Sequence, residues 1–191
     1  MKTSDTIQSS EESLAIIQRM ISQTRGNMRS GGFYFILWGW IAVLGNLGHY
    51  LIAMYTDYPH PYIIWLISIP GWLISMWYGR RQESRARVVN FTDRLIMWTW
   101  VGFAFSIIVI IFSGKFAVYI PALILILAGM ATFITGCITR YKPVIYGGSS
   151  LWIFAALALY VSPQNSLLVS ALAIAVGYLI PGYLLKFKKE S

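Results

Sequence analysis

Acidic residues are scarce in this chain. Only 7 of its 191 residues are Asp or Glu, charged residues of both signs make up 12%, and there are two histidines and one cysteine. A soluble globular domain carries about 25% charged residues, and a disordered segment is poor in apolar ones. With 57% hydrophobic and 16% aromatic residues the chain fits neither class and has the composition of an integral membrane protein. The single Cys137 has no partner for a disulfide or a metal site and is read as a packing residue. His49 and His60 alone cannot supply a zinc site of ordinary ligand count, and no His-Glu-x-x-His is present. A GxxxxGK[ST] loop is also missing, which argues against intrinsic ATP hydrolysis. No cofactor is expected.

What is present is a series of six apolar segments free of Asp, Glu, Lys and Arg: Phe33 to Met54, Tyr62 to Tyr78, Leu95 to Phe112, Phe116 to Cys137, Val144 to Val161 and Ser166 to Leu185. As helices rising about 1.5 Å per residue, they suit a hydrocarbon core of about 30 Å. Runs such as Ile107 to Phe112 and Leu123 to Leu127 are apolar on every face, which excludes the alternating strands of a barrel. The expected fold is an all-α polytopic bundle of six transmembrane helices, with residues 1–32 as a separate N-terminal segment and 186–191 as a basic tail. Because no carboxylate falls inside a span, proton or sodium coupling through a buried acid is not expected.

Basic residues beside the spans are held on the cytoplasmic side during insertion. Fourteen of the fifteen Lys and Arg residues fall in the N-terminal segment, the second and fourth loops and the tail, leaving only Lys115 opposite. Both termini are therefore expected in the cytoplasm. The same distribution accounts for the net charge of +8 without a nucleic-acid surface, since no aromatic platform is interleaved with the basic residues. Anionic inner-leaflet lipid is the simpler partner for Arg80, Arg81, Arg85 and Arg87 in the second loop.

Within the N-terminal segment Ser9 and Glu12 resemble a capping box, followed by Leu14, Ile17, Met20 and Ile21 on one helical face. This predicts an amphipathic helix from about Ser10 to Arg25. It either lies on the inner interface or docks a cytoplasmic partner.

Two echoes hint at an internal repeat. Trp40-Ile41 returns as Trp152-Ile153, and Ile69-Pro70-Gly71 returns as Ile180-Pro181-Gly182, each followed by an aromatic residue and a leucine. Together with a weaker match of Trp38-Gly39-Trp40 to Trp98-Thr99-Trp100, they suggest three hairpins of one orientation. Coincidence and the interfacial preference of tryptophan provide the competing explanation. Pro70-Gly71 and Pro181-Gly182 are also the helix-break positions, where unwound backbone could line a cavity or the helix could simply kink.

The most distinctive face is that of span one, where Gly39, Ala42, Asn46, His49 and Ala53 follow helical spacing. Asn46 and His49 require polar partners, either in a packing seam or in the wall of a solute site. Tyr50 and Trp65 lie near the same end and, with Tyr58, His60 and Tyr62, form either an aromatic pocket or an outer belt. Gly147-Gly148-Ser149-Ser150 offers a serine with His49 as a distant base, but no third orienting group, so close helix packing is the better explanation. Ala128, Thr132 and Gly136 in span four, and Ala171, Ala173, Ala175 and Gly177 in span six, form small-residue stripes. They are contact surfaces within one chain or between copies.

Taken together, Glu11-Glu12-Ser13-Leu14 with its helix, Leu37-Trp38-Gly39-Trp40, Lys142-Pro143 leading to Gly147-Gly148, and the run from Gly177 to Leu185 resemble a family of small, uncharacterised bacterial six-span membrane proteins. In size and span number the chain is also similar to the substrate-binding subunits of energy-coupling-factor vitamin transporters. The first resemblance implies a bacterial inner-membrane location and transfers no catalytic residue. The expected function is non-enzymatic association with lipid, a protein partner or a second copy, with small-solute binding near Asn46, His49, Tyr50 and Trp65 as the alternative.

Overall fold

A computed structural model of the protein describes residues 31–83 and 91–187. Among them every regular element is helical and none is a strand. Six helices are long and apolar enough to cross a bilayer, so the chain is a multi-pass, all-α membrane protein. Span one is α1 (Gly31–Tyr55). Span two begins as a 3-10 helix (Pro61–Ile67) and continues as α2 (Ser68–Glu83). Span three is α3 (Phe91–Ser113). A 3-10 turn (Ala117–Tyr119) leads into α4 (Ile120–Thr139), followed by α5 (Lys142–Tyr160). Span six consists of α6 (Pro163–Ile174), a π-helical segment (Ala175–Leu179) and α7 (Ile180–Phe187). The amphipathic face of Leu14, Ile17, Met20 and Ile21, the loop residues Arg85 and Arg87, and residues 188–191 lie outside the described part.

Proline placement explains where several helices start. Pro61, Pro121, Pro143 and Pro163 each occupy the first or second position of a helix, where the missing N–H has no intrahelical partner to lose. Pro70 and Pro181 fall inside spans, and neither span is broken there. The turn preceding Pro70 tightens into the 3-10 helix, while the turn preceding Pro181 widens into the π-helix. Both distortions answer the same problem, the clash of a proline ring with the carbonyl four residues earlier. The second span also exceeds its predicted limits: it runs 21 residues from Pro61 to Arg81, because arginine at a helix end can extend its charged head to the interface.

Lipid tails are as apolar as leucine, so helix association in a bilayer depends on close packing. The centre of the bundle follows this rule. Helix α5 buries Val144, Gly147, Gly148, Leu151, Ala155 and Ala158. Gly148 lies against the Gly129 carbonyl and the Phe133 backbone of α4, while Gly147 lies against Gly177 in the π-segment. Two adjacent glycines thus admit two different helices. The small residues of spans four and six are spent on these internal contacts: Ala128, Thr132, Gly136, Ala171, Ala173 and Gly177 are all buried, and Ala175 half-buried. Helix α1 closes on span six through Gly32, against Leu185, and Gly39, against Leu179.

The other two helices are peripheral. Among the described residues helix α2 buries only Gly71, which sits on Ile41 of α1, and α3 buries none, although Trp100 reaches Phe35 and Tyr178. Cys137 departs from expectation. It is exposed on the last turn of α4, since the packed side of that turn is formed by Gly136 against Ile145.

Candidate functional site

The α1–α2 seam contains the predicted polar site. Gly45 and Gly48 leave room for Trp65 and Ile64, so the Trp65 ring lies directly over the Gly45 backbone. From there Trp65 Nε1 donates a hydrogen bond of 3.3 Å to His49 Nδ1. Asn46, one helical turn before His49, is 5% exposed, and its Nδ2 donates to the Ala42 carbonyl at 2.8 Å. The structure therefore brings His49 and Trp65 together and turns Asn46 back onto its own helix. Tyr50 is half-buried and is drawn into neither hydrogen bond. Ala53, the last member of the predicted face, is exposed.

Tyr58, His60 and Tyr62 form a separate exposed group. The Tyr62 hydroxyl and His60 Nδ1 are 2.8 Å apart, and the Tyr58 ring meets His60 edge-on. Amphipathic rings gathered at one end of the spans fit a membrane-interface belt.

The serine pair on α5 has local partners. Ser149 Oγ donates to the Ile145 carbonyl at 3.0 Å, and Ser150 Oγ to the Gly147 carbonyl at 2.7 Å. Back-bonding to the preceding turn is a common structural use of serine in a helix. No group of three or more His, Cys, Asp or Glu side chains is assembled among the described residues.

No family model, curated protein or solved structure matches this chain.

The feature that sequence reasoning missed is at the opposite end of α1. A groove of about 490 Å³ is lined by the outward face of that helix, by Tyr78 of α2 and by Lys186 of α7. One wall is fixed where Phe33 stacks on Tyr78 with ring centroids 4.0 Å apart, and where Ile41 meets Gly71. The other is fixed where Ile36 meets Gly182, and where Trp40 Nε1 donates to the Tyr183 hydroxyl at 3.0 Å. The repeated Pro-Gly pairs thus take part in one construction. Gly71 and Gly182 admit two helices to opposite sides of α1, and the groove runs between them. The only signal in the sequence was that recurrence. Spacing alone could not show that both copies converge on span one.

Basic side chains collect at this end. Arg80 and Arg81 are exposed on the last turn of α2, with the Arg81 guanidinium 4.9 Å from the Trp77 ring centre. Lys186 is exposed on the last turn of α7, its ammonium 5.8 Å from the Phe187 ring centre. Arginine over tryptophan is a favourable cation–π arrangement.

Proposed function

We propose that this chain is a non-enzymatic protein of the bacterial inner membrane, related to the small six-span family it resembles, that acts by associating with lipid or a protein partner. Both termini are cytoplasmic in this reading, and the basic end of the bundle faces the inner leaflet. The observation that carries it is the gathering of Arg80, Arg81 and Lys186 at the end where residues 1–30 join α1. The polar groups of the bundle add support. Trp65 and His49 are occupied with one another, Asn46 with Ala42, and Ser149 and Ser150 with carbonyls of their own helix.

The test is crosslinking in native membranes with the full chain and with a version lacking Met1 to Arg25. Loss of specific neighbours on deletion supports association through the N-terminal segment. An unchanged set of neighbours sinks that part of the proposal.

Solute binding is the second reading, favoured by the partial exposure of His49 and Tyr50 at the far end of the α1–α2 seam. A solute that raises the melting temperature of the wild-type chain but not of His49→Ala or Asn46→Ala would favour it over the first.

A further inference from the structure

We infer that the groove on α1 holds one acyl chain of an anionic phospholipid from the leaflet at the basic end, with the headgroup phosphate at Lys186. The inference deepens the association reading by naming the lipid class and its seat. It shares with that reading the placement of the bundle in a membrane.

Polarity along the groove comes first. Leu37, Trp40, Ile41 and Leu44 supply an apolar floor, whereas the charged group in the lining, Lys186, is at the end where α1 begins and α7 finishes. The phenol of Tyr78 lies at that same end, beside Phe33. Such a surface is complementary to an amphiphile with one apolar tail and one negative head. Arg80 and Arg81 stand at the same end but are not part of the groove lining, which makes Lys186 the cation placed to meet a headgroup. A basic pocket between transmembrane helices on the cytoplasmic side is a known way of holding an acidic headgroup.

Length is the second argument. From Phe33 to Leu44 the floor covers eleven residue steps, or about 16 Å of helix. One leaflet of a hydrocarbon core of about 30 Å is about 15 Å deep. The groove therefore suits a chain entering from one side and stopping near the midplane.

Rigidity is the third. Both walls are held by contacts that leave the floor open: Trp40 to Tyr183 and Ile36 to Gly182 on the α7 side, Phe33 to Tyr78 and Ile41 to Gly71 on the α2 side. A preformed groove spares a bound lipid the ordering of protein side chains, which otherwise weakens binding. The chain's own amphipathic segment is a poorer occupant. Its Glu11, Glu12, Arg19 and Arg25 would have to enter the hydrocarbon region to follow the groove.

The experiment is native mass spectrometry of the full-length chain, released from mixed micelles containing equal phosphatidylglycerol and phosphatidylcholine of the same acyl length. One retained phosphatidylglycerol, in about fivefold preference over phosphatidylcholine, is the expected result for one lysine at headgroup depth. Lys186→Gln should abolish the preference while total lipid retention persists. Leu37→Trp, which fills the floor, should lower retention of both lipids while the far-ultraviolet circular dichroism remains that of the wild type. Glycerol phosphate added in excess should not displace the lipid, because the tail supplies the seat. Equal retention of the two lipids by the wild type, or an unaltered preference in Lys186→Gln, would overturn the inference. So would a gain of bound lipid on removal of residues 1–30, since it would show that segment occupying the groove. These outcomes are independent of the crosslinking result. Association through the N-terminal segment can fail while the lipid is retained, and the reverse also holds.

Discussion

A Cβ placed on Gly147 would lie 2.5 Å from the carbonyl oxygen of Gly177, and one placed on Gly177 would lie 3.0 Å from the carbonyl oxygen of Gly147. The two glycines face each other across the α5–span six crossing and permit backbone to meet backbone. Beside them, Gly148 and Gly129 repeat the arrangement toward α4, at 3.0 and 3.1 Å. The lipid-surrounded core is held by approach of this kind, since apolar burial gives helices little reason to leave the lipid.

Gly147→Val should therefore destabilise the bundle by about 3 kcal/mol, the upper end for overpacking, because the atom it meets is backbone and cannot rotate away. Gly102→Ala, on the exposed side of α3 with nothing within 4 Å of the new methyl, should be neutral or gain roughly 0.5–1 kcal/mol from helix propensity. Unfolding in mixed detergent micelles compares the two. Equal destabilisation would show that the crossing at Gly147 is not close.

For the Trp65–His49 hydrogen bond we expect a coupling of about 0.6 kcal/mol, the average found for interhelical hydrogen bonds in membranes. A double-mutant cycle with Trp65→Phe and His49→Ala measures it. A coupling indistinguishable from zero would mean that the pair is merely adjacent.

Arg140 ends α4 in the left-handed conformation, with φ 53°, and its N–H bonds to carbonyls of the last turn. Arg140→Gly should raise stability by about 0.5–1 kcal/mol, since glycine adopts that conformation without a Cβ penalty. Thermal unfolding of the variant is the check. A loss of stability would assign the arginine side chain a structural role that outweighs its backbone strain.

The proposed topology rests on the charge bias of the loops. A cysteine introduced near Asp57 or Gln164, in a Cys137→Ser background, should react with an impermeant reagent from outside intact cells. One introduced near Arg85 or Lys188 should react only after the membrane is opened. External labelling at Arg85 would invert every cytoplasmic assignment made above.

The six spans were legible because charge-free runs of membrane length have no other common explanation. What each span touches was far less so. By hydropathy α3 is as apolar as α4, yet α4 is buried along a third of its most apolar window and α3 along none. The difference lies in Ala128, Gly129, Thr132 and Gly136, small residues that an average over hydropathy does not weigh. Asn46 and His49 were identified as polar groups in need of partners, and both have them. Sequence spacing could not show that Asn46 would turn to Ala42 while His49 reached another helix. The two Ile-Pro-Gly copies were visible as a recurrence. That one is preceded by a tightened turn and the other by a widened one depends on neighbours, since Pro70 is exposed to lipid and Pro181 is buried against α5.

The contacts that hold α1 come from α2 on one side and from the far end of the chain on the other, and the bond from Trp40 to Tyr183 spans 143 residues. Ribosomes add about 5–20 residues per second, so the first span waits roughly 7 to 30 seconds for the helix that completes it. During that interval the flank with Gly32 and Gly39 lacks span six, although α2 and Trp100 of α3 are already made. Biogenesis must therefore keep the earliest helix of this protein available to the last one, which gives the membrane insertion machinery a holding task that the three central helices, adjacent in sequence, do not impose.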